Sequence, residues 1–243
     1  MSGFDFTHAK LDIQSIFTSI SLGAIAATLI ISFLFLEATA QSGNSMVFPI
    51  ESKPYSLSYE QWAIKWWQWF VSIPASMSPA SDTTGANCAQ NQNDANVQYL
   101  AATFGGKAER TCVVGSEKAL FFTVIGTECN AKQDKVTATA QFQACVHGVM
   151  DSLKLATAQL DRVNIPNVER YRLTSSVFPV TFPNGAIWGA PPGPTDMASD
   201  AVYLMLKPLS KGNHTLHFAG QVFNPTNPTY NQATDVTYHL VVK

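Results

Sequence analysis

At 243 residues the chain suits one domain with at most an appendage, and a 46% hydrophobic content excludes wholesale disorder. Only 13% of residues are charged, about half the usual share of roughly 25%. A net charge of -2, a pI near 6.2 and no basic block exclude the electrostatic footprint of a nucleic-acid binder.

The N-terminus comes first. Residues 1–12 are polar, with Lys10 as their only basic residue, and an apolar stretch runs over 13–36. Gln14, Ser15, Thr18, Ser19 and Ser21 interrupt its first part, so the clean run is 22–36. At ~1.5 Å per residue this run spans roughly 22 Å, short of the ~30 Å hydrocarbon core. It matches the apolar core of a signal peptide, and Ala38-Thr39-Ala40 supplies the small-x-small cleavage pattern. Residues 1–40 are therefore expected to be a signal peptide cleaved before Gln41. The rival is an uncleaved anchor using all of 13–36, the only route by which this chain would meet a membrane. Both readings export the remainder to the extracellular space or cell envelope.

Residues 41–54 are expected to be a flexible leader, followed by a single domain over 55–243. Ser58, with Gln61 three residues on, forms a capping box that opens a helix. Pro74 stops that helix near Ser72. Tyr59, Trp62, Trp66 and Trp69 make one stripe, widened by Ala63, Trp67 and Phe70, and four of the five tryptophans lie here. Such a stripe fills a core, since indoles bury large areas. Its sharper reading is a sugar platform at Trp62, Trp66 and Trp69. A membrane-interface role is weakened by the helix having a single lysine.

The stretch 73–98 reads as a long ordered loop pinned by Cys88. Strands are expected at 97–104, 108–114 and 119–126, with turns at Gly105-Gly106 and Gly115-Ser116. A second helix is expected over 136–153. Further strands follow at 156–160, 172–178, 180–182, 201–206, 215–222 and 236–242. Short strands punctuated by Gly and Pro, with two helices, indicate a mainly β fold. The expected architecture is a disulfide-pinned β-sandwich, Ig-like or jelly-roll-like.

Cys88, Cys112, Cys129 and Cys145 are an even set in an exported chain, so disulfides are expected. Of the three pairings, Cys88–Cys112 with Cys129–Cys145 is preferred, because the others cross or nest their loops. No CxxC or clustered histidine supports zinc.

Tyr59-Glu60-Gln61-Trp62 through Trp66-Trp67-Gln68-Trp69, with Ser72-Ile73-Pro74 and Asp82-Thr83-Thr84-Gly85-Ala86-Asn87-Cys88, resembles an uncharacterised family of exported archaeal and bacterial proteins. Thr103-Phe104-Gly105-Gly106, Arg110-Thr111-Cys112, Glu128-Cys129 and Pro192-Gly193-Pro194-Thr195 extend the resemblance over nearly all of the mature chain. It implies export and a single domain, and it carries no activity.

Candidate chemistry is sparse. Asp82 and Glu128 could form the acid pair of a polysaccharide hydrolase. Against this, Asp82 suits an Asx-turn and Glu128 an ion pair with Arg110. His147 and Asp151 stand at i and i+4 on the second helix and could meet, but no nucleophile elbow accompanies them. His217 and His239 face outward on adjacent strands and are weak metal candidates without a third ligand. Asn213-His214-Thr215 is a glycosylation sequon, relevant only in a glycosylating host. The leading expectation is a non-enzymatic exported module that binds a carbohydrate or another envelope component, with no cofactor and no nucleic acid. A secreted hydrolase and a self-associating surface protein are the alternatives.

Overall fold

The computed structural model describes residues 46–243, so the signal-peptide or anchor segment and the first part of the leader lie outside the described residues. Among the described residues no helix is long and apolar enough to cross a membrane. The domain is mainly β, a two-sheet sandwich with helices added, as the strand pattern indicates.

Helix α1 spans Tyr59–Val71. The Ser58 hydroxyl accepts from Gln61 N at 3.2 Å, and Gln61 Oε1 accepts from Ser58 N at 2.8 Å. The strands are β1 Val97–Leu100, β2 Gly106–Val114 and β3 Ala119–Asn130. Two helices follow, the single turn α2 Ala131–Asp134 and α3 Thr139–Met150. Then come β4 Leu153–Leu160, β5 Val163–Asn164, β6 Arg172–Thr174, β7 Phe178–Phe182, β8 Gly193–Leu206, β9 Gly212–Val222 and β10 Gln232–Val242.

One sheet has the order β1-β3-β8-β6, with β7 also on β8, and the other β2-β10-β9-β4-β5. Strands β9 and β10 form an antiparallel hairpin, pairing Phe218 with Val236 and Leu216 with Tyr238. Gly105-Gly106 does not join neighbours. It carries the chain from β1 in one sheet to β2 in the other, where β2 runs parallel to β10. Positive φ at both glycines suits this change of direction.

Strands β2, β9 and β10 alternate buried and exposed residues, while β3 and most of β8 are buried on both faces. Burial on both faces means cover on both faces. One face of the β3–β8 pair meets the second sheet through Phe122, Val124, Phe218, Tyr238 and Leu240. The other meets α1 through Phe121, Tyr203, Met205, Trp62 and Trp66. The tryptophan stripe is thus the third layer of the molecule. Helix α3 closes one end over Cys129 and Ala198 through Phe142 and Val146.

Several boundaries depart from expectation for identifiable reasons. Strand β1 stops at Leu100 because the Ala101 carbonyl accepts from Arg110 and from the Tyr238 hydroxyl. Strand β8 begins at Gly193 rather than 201, since its polar residues find partners: Ser199 in Ser175 and Tyr203, Asp200 in Arg172. The expected strand 172–178 breaks in two at Ser175, whose hydroxyl accepts from Ser199 N. The expected helix 136–153 is confined to α3, and Lys135 at φ 58° separates it from α2.

Both preferred disulfides are present. Cys88–Cys112 fastens the long loop to β2, and Cys129–Cys145 fastens the end of β3 to α3.

Candidate functional site

A cleft of about 440 Å³ opens between α1, β3, β10, residues 102–104 and the turn Ile187–Gly189. One wall is aromatic. Trp66, Trp67 and Phe70 form its base, with Trp66 stacked on Phe70 at 4.9 Å between centroids. Trp188 and Phe104 form its rim, 5.8 Å apart, and each also contacts Phe70 at about 6 Å. The rim rings are 42% and 47% exposed. Centroid spacings of this size describe a packed wall that presents faces and edges, not an open cage.

The opposite wall is polar, with Thr123, Thr127, Glu128, Gln133, Asp134, Gln232 and Thr234. A bulge in β3 sets which of these face the cleft. The β3–β8 register shifts between Thr123 and Ile125, so Val124 and Ile125 both join the inter-sheet core. An unbroken strand would put 121, 123, 125 and 127 on one face. The extra residue instead places Glu128 opposite Ser199, on the same side of β8 as Ala201 and Tyr203. Gly126 follows the bulge because a Cβ there would overlap the Ala201 side chain.

Glu128 is half-buried by surface area, but it lies deep enough that loss of water dominates its ionisation. Desolvation, with help from Asp134, pushes its carboxyl up to about 8, against an opposing hydrogen bond from Asn130. Asn130 Nδ2 donates to Glu128 Oε2 at 3.2 Å and to Gln133 Oε1 at 3.0 Å. Gln133 Nε2 in turn donates to the Trp188 carbonyl at 3.3 Å. A continuous chain of amides therefore links the acid to the aromatic rim. Trp188 itself sits at φ 59°, a left-handed conformation uncommon for a bulky residue.

The residues singled out from sequence fare differently. Trp62, Trp66 and Trp69 are buried, and their indole N–H groups donate to the carbonyls of Pro54, Leu100 and Gln90. Only Trp66 reaches the cleft, so the stripe is not an exposed platform. Asp82 does not meet Glu128 in the cleft. Partial burial raises its pKa, but bonds from Asn87 N, Thr84 N and the Thr84 hydroxyl outweigh that and hold it low. It is the Asx-turn that the residue type suits.

The expected Arg110–Glu128 ion pair is absent. Arg110, 1% exposed, donates to the carbonyls of Ala80, Asp82, Ala101 and Ala102 and to the Tyr238 hydroxyl. It thereby fixes Ala80 and Ala102, both part of the cleft.

His147 and Asp151 do not pair either. His147 meets Thr174 at 3.2 Å, and Asp151 accepts from Arg172 at 2.7 Å. His217 and His239 face outward as diagonal neighbours, but each has a carboxylate of its own, Asp235 at 2.9 Å and Glu109 at 2.6 Å. Among the described residues the one grouping with metal-ligand spacing is Cys129, Asp134 and Cys145. Its two sulfurs are bonded to each other, so neither is a thiolate ligand. Asn213 is exposed at the start of β9.

Sequence reading missed Trp188, Phe104 and Thr123. The signal for the first was a lone tryptophan between Gly185 and Gly189 in a proline-rich turn, where no core pattern claims it. Thr123 had no signal, because nothing local announces the bulge. Comparison of the chain with family models, with curated proteins and with solved structures finds no match.

Proposed function

We propose that the protein is an exported binding module whose ligand is a neutral carbohydrate held in the aromatic cleft. The observation that carries this reading is the cleft's two-sidedness. Trp188 and Phe104 offer apolar ring faces, and the facing wall offers hydroxyls, amides and one acid, with no basic side chain among the described residues that line it. A pyranose has the same two-sidedness, with apolar C–H faces and a polar rim. Concave, mostly apolar sites with a few convergent polar groups are the usual form of a ligand site. Two disulfides and the absence of free cysteine support an oxidising compartment.

Titration of neutral oligosaccharides by calorimetry tests the reading. Trp188→Ala and Phe104→Ala should each weaken binding at least tenfold, about 1.4 kcal/mol, while leaving the fold intact. Binding indifferent to both changes would refute the site.

The elevated Glu128 pKa favours one second reading, a glycoside hydrolase in which Glu128 protonates the leaving oxygen and Asp134 is the other carboxylate of the cleft. Release of reducing sugar that is lost in Glu128→Gln, with binding retained, would select it.

A further inference from the structure

We propose that Lys132 and Gln133, on the single turn α2, are positioning residues for the cleft: they hold the 185–192 turn so that the Trp188 ring is already in place when a ligand arrives. The proposal rests on the saccharide reading above and names what keeps its main ring in position. A ring ordered beforehand spares the ligand the cost of ordering it.

Trp188 cannot hold its own position. Its backbone lies at φ 59°, and Gly185, Gly189 and Gly193 are at positive φ as well. A bulky residue keeps such a conformation only where its surroundings over-determine it. The ring itself gives limited help. It is exposed on one side and meets Phe104, Phe70 and Trp67 at centroid distances of 5.8, 6.1 and 6.5 Å. The indole N–H groups of Trp62, Trp66 and Trp69 donate to backbone carbonyls, and that of Trp67 donates to the Tyr203 hydroxyl. Among the described residues the Trp188 indole has no such partner, so its place depends on the turn that carries it.

That turn is held at both ends. At its entry, Ala75 N donates to the Gly185 carbonyl at 2.8 Å, and Ala186 bridges to Pro74. At Trp188, Gln133 Nε2 donates to the carbonyl at 3.3 Å. At its exit stand Pro191 and Pro192, which lack an N–H and offer only carbonyls. Lys132 Nζ takes both, at 3.4 and 2.6 Å. It lies 3.3 Å from where a Cβ on Gly193 would stand, so that glycine leaves room for the ammonium. Lys132 enters no ion pair among the described residues, and its charge is directed at this turn. An ionised donor makes the stronger kind of hydrogen bond. Helix α2 is itself fixed, because Asn130 Oδ1 accepts from Gln133 N at 3.0 Å and Cys129 is bonded to Cys145 of α3. Lys132 does not line the cleft, so it reaches a ligand only through the turn.

Indole nitrogen-15 relaxation of the ligand-free protein, with Trp188 assigned by its loss in Trp188→Phe, reads the ring directly. Lys132→Met removes the ammonium and keeps the stem, and Gln133→Ala removes the amide. We expect the Trp188 order parameter to fall in Lys132→Met and further in the double variant, while the other four indoles stay rigid and report an intact fold. Cellobiose and N,N′-diacetylchitobiose are the binding probes. Lys132→Met should weaken the disaccharide that binds about fivefold, the cost of ordering one side chain. In a Trp188→Ala background the same change should weaken it less than about twofold, because its effect passes through that ring.

A Trp188 order parameter unchanged in both Lys132→Met and the double variant would overturn the proposal, whether or not a sugar binds. An equal loss of affinity with and without the Trp188 ring would overturn it too, while leaving the saccharide site standing. If neither disaccharide binds, the saccharide reading falls; a loosened Trp188 then still supports the positioning role, and a rigid one still overturns it.

Discussion

Glu128 ties ionisation to stability. Its folded-state carboxyl is raised to about 8 from an ordinary value of 4.5, so the native state holds a proton that the unfolded chain releases. Between those pH values the native state binds more protons, and stability falls as pH rises. The penalty is absent below about pH 4.5 and complete above about pH 8. Glu128→Gln removes it. We expect the variant's melting temperature to match wild type near pH 4 and to exceed it by a growing margin up to pH 8, with no further change beyond. A constant margin from pH 4 to pH 8 would mean that Glu128 keeps an ordinary carboxylate pKa. The same acid is a poor ion-pair partner because Arg110, the nearest candidate by sequence reasoning, is committed to carbonyls around 80–82 and 101–102.

At the scale of elements, α1 separates packing from recognition. Trp66 is 3% exposed, stacks on Phe70 and donates to the Leu100 carbonyl at 2.9 Å. Trp66→Ala should therefore cost about 3–5 kcal/mol, as for other large core truncations, measured by chemical denaturation. Trp188 belongs to a short exposed turn and holds a left-handed backbone, so Trp188→Gly should change stability by less than about 1 kcal/mol. A loss below about 1 kcal/mol for Trp66→Ala would contradict its structural role. Glycine has a different duty in the long loop, where Gly85 at φ 94° lies against the Thr111 backbone, with no room for a Cβ. That close approach brings the loop against β2, where Thr111 N donates to the Thr84 carbonyl at 2.9 Å and the Cys88–Cys112 bridge fastens it.

Across the whole molecule, the disulfides fasten two of the segments that strand pairing does not hold. One is the loop that carries Asp82, and the other is α3. Their closed loops, 24 and 16 residues apart in sequence, should each contribute roughly 3 kcal/mol by restricting the unfolded chain. Thiol titration of the denatured, unreduced protein should find no reactive cysteine, and reduction should lower the melting temperature. Two free thiols per chain would contradict both bridges. The effect should extend to the site, because Cys129 directly follows Glu128 and precedes Asn130, so loss of the Cys129–Cys145 bridge loosens the polar wall.

Local chemistry was sufficient for much of this protein. The capping box and Pro74 define α1 without tertiary help, since both act within a few residues. Period-two alternation marks β2, β9 and β10, each of which keeps one face in water. An even cysteine count and loop nesting are enough to pair the four cysteines. What needed the third dimension is the site. The tryptophan stripe reads alike whether it faces a sheet or solvent, and only the covering of the β3–β8 face by α1 decided for burial. Asp82 and Glu128 look equivalent in sequence, yet turn hydrogen bonds hold the pKa of one low while desolvation pushes that of the other up. A single inserted residue at the β3 bulge turned Glu128 toward the cleft, and a strand's facing is a property of its register with its neighbour, which no stretch of the chain encodes alone.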